Sequence, residues 1–126
     1  MSLSPREVNE ALLSRIAAGE WDSLEELYAE DAVIVLPFEG RRLEGREDLR
    51  GRVRRNRAAQ WDIEVANLVV YDTADPEVIV TEWDFRGTVK ATGETFELAN
   101  VRITRVRDGL IVESRDYHNT AALPAA

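Results

Sequence analysis

From Trp61 onward the chain reads almost entirely as β structure. Four runs, about 61–72, 77–87, 94–106 and 110–118, are rich in Val, Ile, Thr and aromatic residues. The breaks between them are Asp72-Thr73-Ala74-Asp75-Pro76, the segment from Gly87 to Gly93, and Arg107-Asp108-Gly109. Connections this short join antiparallel neighbours, because a parallel pair needs a crossover of about a dozen residues or more. The second half is therefore expected to be a meander of four long strands, a sheet that needs an apolar cover on one face.

The first sixty residues supply that cover. Ser4-Pro5-Arg6-Glu7 is a helix start, with Ser4 as cap, Pro5 at the first helical position and Glu7 where a capping box places it. Val8, Leu12 and Ile16 follow at helical spacing, which predicts an amphipathic helix to about Ala18, stopped by Gly19. Asp22-Ser23-Leu24-Glu25 repeats the signature and predicts a short helix carrying Leu24, Leu27 and Tyr28 and ending near Asp31. Ala32 to Leu36 is a short β run stopped by Pro37, Glu39-Gly40-Arg41-Arg42 reads as a turn, and a third helix is expected from about Arg46 to Ala58. The layout α-α-β-α-β-β-β-β is an α+β fold, expected as one domain over residues 1–126 with 121–126 a flexible tail.

Several function classes drop out on composition. With no cysteine among 126 residues, disulfides, thiolate metal sites and cysteine nucleophiles are excluded. One histidine and no carboxylate cluster of the usual spacing leave no expected metal site, and no glycine loop suits a phosphate. No stretch approaches the roughly 20 apolar residues of a membrane span, and the start MSLSPREVNE lacks a leader pattern, so a cytoplasmic protein without membrane contact is expected.

A net charge of −8 argues against nucleic acid as a partner. Yet Arg41 to Arg57 holds eight arginines against three acids, a local +5 that leaves −13 elsewhere. Arg46, Arg50, Arg54 and Arg57 recur at helical spacing, which reads most simply as a solvated helix face pairing with acids elsewhere. The sharper reading is an anion-binding stripe for a phosphorylated or coenzyme A-linked ligand, or for RNA, the last disfavoured because the helix holds no stacking aromatics.

The strands raise a different question. Alternation along 110–118 puts Val112, Ser114, Asp116 and His118 on one side, and Glu113, Arg115 and Tyr117 on the other. Asn100, Arg102 and Thr104 form a similar polar row on a central strand, which suits a cavity wall better than a core. Burial among apolar neighbours is expected to raise the Asp116 pKa toward the range useful for proton transfer. The alternative is an aspartate paired with Arg102 or Arg115. His118 could share that proton or orient a substrate, or be a hydrogen-bonded filler. Arg102 could anchor a carboxylate through its planar fork or pair with Asp116 or Glu82. On the strand Thr81 to Phe85, Trp83 or Glu82 is the further pocket candidate.

This order of elements, with AGEWDSLEELYAEDAVIVLP early and VRDGLIVESRDYHN late, resembles the nuclear transport factor 2-like superfamily in its SnoaL-like and ketosteroid-isomerase-like branch, over nearly the whole chain. Within that branch TEWDFRG, RDGLIVESRDYHN and the strand start Gln60-Trp61-Asp62 are most similar to the phenazine-biosynthesis A/B type. The resemblance implies a cone-shaped α+β barrel, with N-terminal helices packed on a curved, mostly antiparallel sheet that encloses one apolar pocket, and a homodimer formed through the outer sheet face. It implies a pocket lined by Leu12, Leu36, Phe38 and Trp61, with Ser114, Asp116 and His118 toward its mouth. An acid at the position of Asp116 is general acid/base in the phenazine-type relatives. Their histidine from the third-helix region is missing here, where LRGRVRRNRAA holds only arginines. The three polar positions of ketosteroid isomerases fall on Leu12, Leu36 and Val101 or Arg102, so that residue set is absent.

The function implied is binding of a small hydrophobic or cyclic carbonyl compound, with cofactor-free acid/base isomerisation, cyclisation or dehydration. Asp116 would move the proton, His118 assist, and Asn100 or Arg102 hold the polar end. Asp116→Asn would then remove activity and leave folding intact. The alternative is a non-catalytic ligand-binding or dimeric interaction module.

Overall fold

The computed structural model describes residues 2–123. Helix α1, Pro5–Ala17, begins as its cap predicts: the Glu7 amide donates to Ser4 Oγ (3.2 Å) and the Ser4 amide to the Glu7 carboxylate (3.0 Å). Val8, Leu12 and Leu13 on its inner side are buried.

The next segment departs from expectation. Trp21–Leu27 is a 3-10 helix, and the capping box at Asp22 does not form; Ser23 Oγ donates to the Glu20 carbonyl instead. Strand β1 starts at once, Tyr28–Leu36, four residues earlier than the apolar run suggests. Its outset is pinned by Arg46, whose Nε and Nη2 donate to the Tyr28 carbonyl (3.3 and 2.8 Å).

After the 3-10 turn Pro37–Glu39, the expected turn at Arg41-Arg42 is a strand, β2, Arg41–Glu44, antiparallel to β1. Only Leu43 of its four side chains is buried, so no alternation announces it. Helix α2, Gly45–Ala58, follows. Two arginines of the expected face are tied to acids elsewhere in the chain, Arg50 to Glu25 (2.7 Å) and Arg57 to Asp22, which supports the plainer reading of the basic run.

The meander forms as expected: β3 Trp61–Asp72, β4 Val78–Val89, β5 Thr95–Arg107 and β6 Leu110–His118. Asp108 and Gly109, both at positive φ (53° and 78°), make the tight β5–β6 turn. The sheet order is β2-β1-β6-β5-β4-β3, antiparallel except where β1 runs parallel to β6. Its two ends do not pair, so the sheet stays open. Irregularities at Ala66/Val69, at Arg105/Val106 and early in β1 bend it around its inner face.

That inner face and the helices enclose two apolar clusters. One gathers Val8, Leu12, Leu24, Leu27, Tyr28, Ile34, Leu36 and Leu49; the other gathers Leu13, Trp83, Phe85, Phe96 and Leu98. At the far end of the second, the Phe96 ring lies across Gly87, where any Cβ would overlap it. The expected tail, 121–126, is only partly described. Thr120–Ala122 is a 3-10 turn and Leu123 packs on the second cluster; 124–126 lie outside the described residues. No helix among the described residues is long and apolar enough to cross a membrane.

Candidate functional site

Register brings the polar rows together. Across the sheet Thr81 faces Arg102 and Arg102 faces Asp116, while the next inward row runs Trp83, Asn100, His118. On the other side lies Thr104 beside Ser114. A polar stripe thus crosses the middle of an otherwise apolar concave face.

At its centre Arg102 and Asp116, only 4% and 6% exposed, form a buried ion pair with Nε and Oδ1 3.2 Å apart. The Arg102 guanidinium also lies over the Trp83 ring, 4.8 Å from its centroid. Burial works to raise the Asp116 pKa, but the guanidinium beside it, with His118 and Ser114, holds the carboxyl well below the usual carboxylate range. This overturns the expected upward shift. That direction keeps Asp116 ionised at neutral pH.

His118 is held by Asn100. The Asn100 amide donates through Nδ2 to the carbonyls of Leu98 (2.9 Å) and Trp83 (3.3 Å), which turns Oδ1 toward the imidazole. His118 Nδ1 lies 2.6 Å from that oxygen and donates to it. In the neutral ring the free lone pair is then on Nε2, which lies 3.8 Å from Asp116 Oδ2.

Over the stripe is a cavity of about 400 Å³ whose walls draw on both apolar clusters. Among the expected residues, Leu12, Leu36, Trp61, Arg102, Asp116 and His118 line it. Trp83, Asn100 and Ser114 share their face but are not in its wall; Asn100 is bonded to His118. Two expectations fail. Phe38 is 70% exposed, turned outward by the Pro37–Glu39 turn and packed edge-on against Tyr117. Glu82 is exposed on the outer face, since its neighbour Trp83 faces inward and strand alternation forbids both.

Sequence reasoning missed Tyr28, Glu39 and Arg52, all in the cavity wall. Tyr28 falls within the helix expected from the sequence, but the 3-10 helix ends at Leu27 and Tyr28 opens β1. Its hydroxyl pKa is pushed up to about 12 by burial, opposed by Arg102 and reinforced by Asp116, so it stays a hydrogen-bond donor. Arg52 of α2 grips Glu39 with two bonds, Nη1–Oε1 at 2.6 Å and Nη2–Oε2 at 2.9 Å. Among the described residues no group of three or more His, Cys, Asp or Glu is placed to hold a metal ion.

The sequence profile of the SnoaL-like domain matches residues 9–114. No curated protein matches the chain significantly. Among solved structures it is similar to a suggested isomerase from Bacillus subtilis, at 26% identity and TM-score 0.83, covering 92% of this chain and 86% of that one. It is also similar to IdmH, a suggested polyketide cyclase from Streptomyces antibioticus, at 27% identity and TM-score 0.75, covering 94% of each. A hypothetical protein of ketosteroid isomerase-like fold from Catenulispora acidiphila, in complex with trimethylamine, shares the fold at 22% identity and TM-score 0.78, covering 95% of this chain and 90% of that one.

Proposed function

The chain belongs to the SnoaL-like domain family, and from that membership and the charged floor of its cavity we propose that it binds a small hydrophobic or cyclic carbonyl compound and isomerises or cyclises it by proton transfer. The observation that carries the reading is an imidazole fixed by an amide, next to a buried ion pair, in the wall of an apolar cavity. Relatives described as an isomerase and a polyketide cyclase support the reaction class.

In this reading the roles of the two candidate catalytic residues exchange. The carbonyl oxygen of the ligand accepts from the Tyr28 hydroxyl and the Arg102 guanidinium. His118 Nε2 removes a proton from the adjacent carbon, and the electron pair moves onto the oxygen as an enolate. Tyr28 and Arg102 stabilise that developing charge in a site of low dielectric. The imidazolium formed is stabilised by the Asp116 carboxylate beside Nε2. Return of the proton to a different carbon completes an isomerisation; attack of the enolate carbon within the ligand completes a ring closure.

The test is proton–deuterium exchange at the activated carbon of a panel of cyclic and aromatic ketones, followed by NMR in deuterated water. Exchange above the buffer rate is expected for compounds that stabilise the protein thermally. Stabilisation without exchange in any compound would replace the enzyme by a ligand-binding module.

Pairing of two copies through the outer sheet face is part of the same proposal. Val69 and Tyr71 are exposed there, beside half-buried Val80, Val101 and Ile103. Sedimentation at micromolar concentration is expected to give twice the 14.2 kDa chain mass, and a monomer would remove the dimer from the reading.

A further inference from the structure

The charges around the cavity identify which ligands it admits. Among the described residues four ionised side chains line it, two cations and two anions: Arg52, Arg102, Glu39 and Asp116. They form two matched pairs, Arg102 with Asp116 on the floor and Arg52 with Glu39 where α2 meets the turn after β1. We propose that this balance excludes anionic ligands from the cavity in favour of uncharged ones, and that Glu39 is the specificity-determining residue that enforces the exclusion. The proposal rests on the cavity being the ligand site of the reading above.

Arg52 and Glu39 are about one-fifth exposed (21% and 20%), so water and salt screen their charges only partly. Both guanidinium nitrogens that face Glu39 are occupied by its two oxygens. A ligand carboxylate or phosphate entering this space meets no cation without its own carboxylate. It must break the two-bond pair to reach Arg52, or accept from Arg102 with the Asp116 carboxylate 3.2 Å from that guanidinium offsetting the attraction. An uncharged carbonyl compound faces neither cost. Of the other seven arginines in the run, Arg42, Arg46, Arg50 and Arg57 are held by Glu44, the Tyr28 carbonyl, Glu25 and Asp22, and none of the seven lines the cavity. Arg52 alone of the run reaches the cavity, which argues against the run as an entry stripe for phosphorylated or coenzyme A-linked ligands.

Glu39→Gln keeps the shape of the side chain and removes one negative charge, leaving Arg52 uncompensated. The measurement is calorimetric titration of 2-acetylnaphthalene and 2-naphthoate, an uncharged and an anionic probe of similar shape, into wild type, Glu39→Gln and Glu39→Asp at neutral pH and low salt. Wild type and Glu39→Asp are expected to prefer the ketone by about ten-fold or more, and Glu39→Gln to gain about ten-fold in affinity for the carboxylate. Wild type binding 2-naphthoate as tightly as the ketone, or Glu39→Gln leaving carboxylate affinity where it was, would overturn the proposal. Absence of ketone binding in all three proteins would count against the carbonyl-ligand reading alone, since the carboxylate gain in Glu39→Gln still decides the charge rule.

Discussion

His118→Asn is expected to slow proton exchange at the ligand's activated carbon by about 10²–10⁴-fold, the range contributed by a positioned general base. Asparagine can still donate to Asn100 Oδ1 from its Nδ2, which stands in the place of Nδ1, so the strand end and the cavity wall should keep their form. It offers no nitrogen lone pair in the place of Nε2. The imidazole is half-buried and packs edge-on to Trp83, at 6.3 Å between ring centroids, so the loss in thermal stability should be small compared with the loss in rate. Ligand affinity read by the same calorimetry should change little, which separates a missing base from a collapsed pocket. Wild-type exchange in this variant would place the base elsewhere and remove His118 from the mechanism.

Asp116→Asn is expected to behave differently, as a folding defect first. Arg102 would keep its charge in a position only 4% exposed, with its carboxylate gone. Removing one partner of a buried pair costs about 3–5 kcal/mol, a large part of the stability of a domain this size. The urea midpoint should fall accordingly. Replacing both partners together, Arg102→Met with Asp116→Leu, should recover much of the loss, because no charge is then stranded. A single variant as stable as wild type would mean that the pair is not the buried contact described here.

The same pair sets an acid limit. The Asp116 pKa is lowered in the folded chain, so the carboxylate stabilises the fold at any pH above its unfolded value of about 3.9, and that contribution is lost as the pH falls further toward the depressed folded value. Between neutral pH and about 4 the contribution is constant. Urea midpoints of wild type should therefore drop on acidification below that point, with a slope that the Arg102→Met, Asp116→Leu double variant lacks in part. The sequence alone favoured an elevated Asp116 and an intact Asp116→Asn, because it showed the apolar neighbours on the strand and not which cation the register would set opposite.

What could be read from the sequence was what local chemistry decides. Ser4-Pro5-Arg6-Glu7 closes its own capping box, Asp108-Gly109 turns its own hairpin, and alternation along β5 and β6 puts Asn100, Arg102, Ser114, Asp116 and His118 on one face whatever packs against them. These are interactions within a few residues, so the segment carries their whole cause. The resemblance supplied the outline of the cavity, and the family match supports it. The rest depended on residues far apart in the chain. Tyr28 enters the cavity because its strand pairs with β6 and its carbonyl is held by Arg46, β2 exists because β1 offers it an edge, and Glu39 meets Arg52 because α2 folds back over the turn. Whether Asp116 carries a proton or a charge at neutral pH was likewise decided across the sheet, since a pKa is set by the nearest charge in space and that neighbour, Arg102, stands fourteen positions away in sequence.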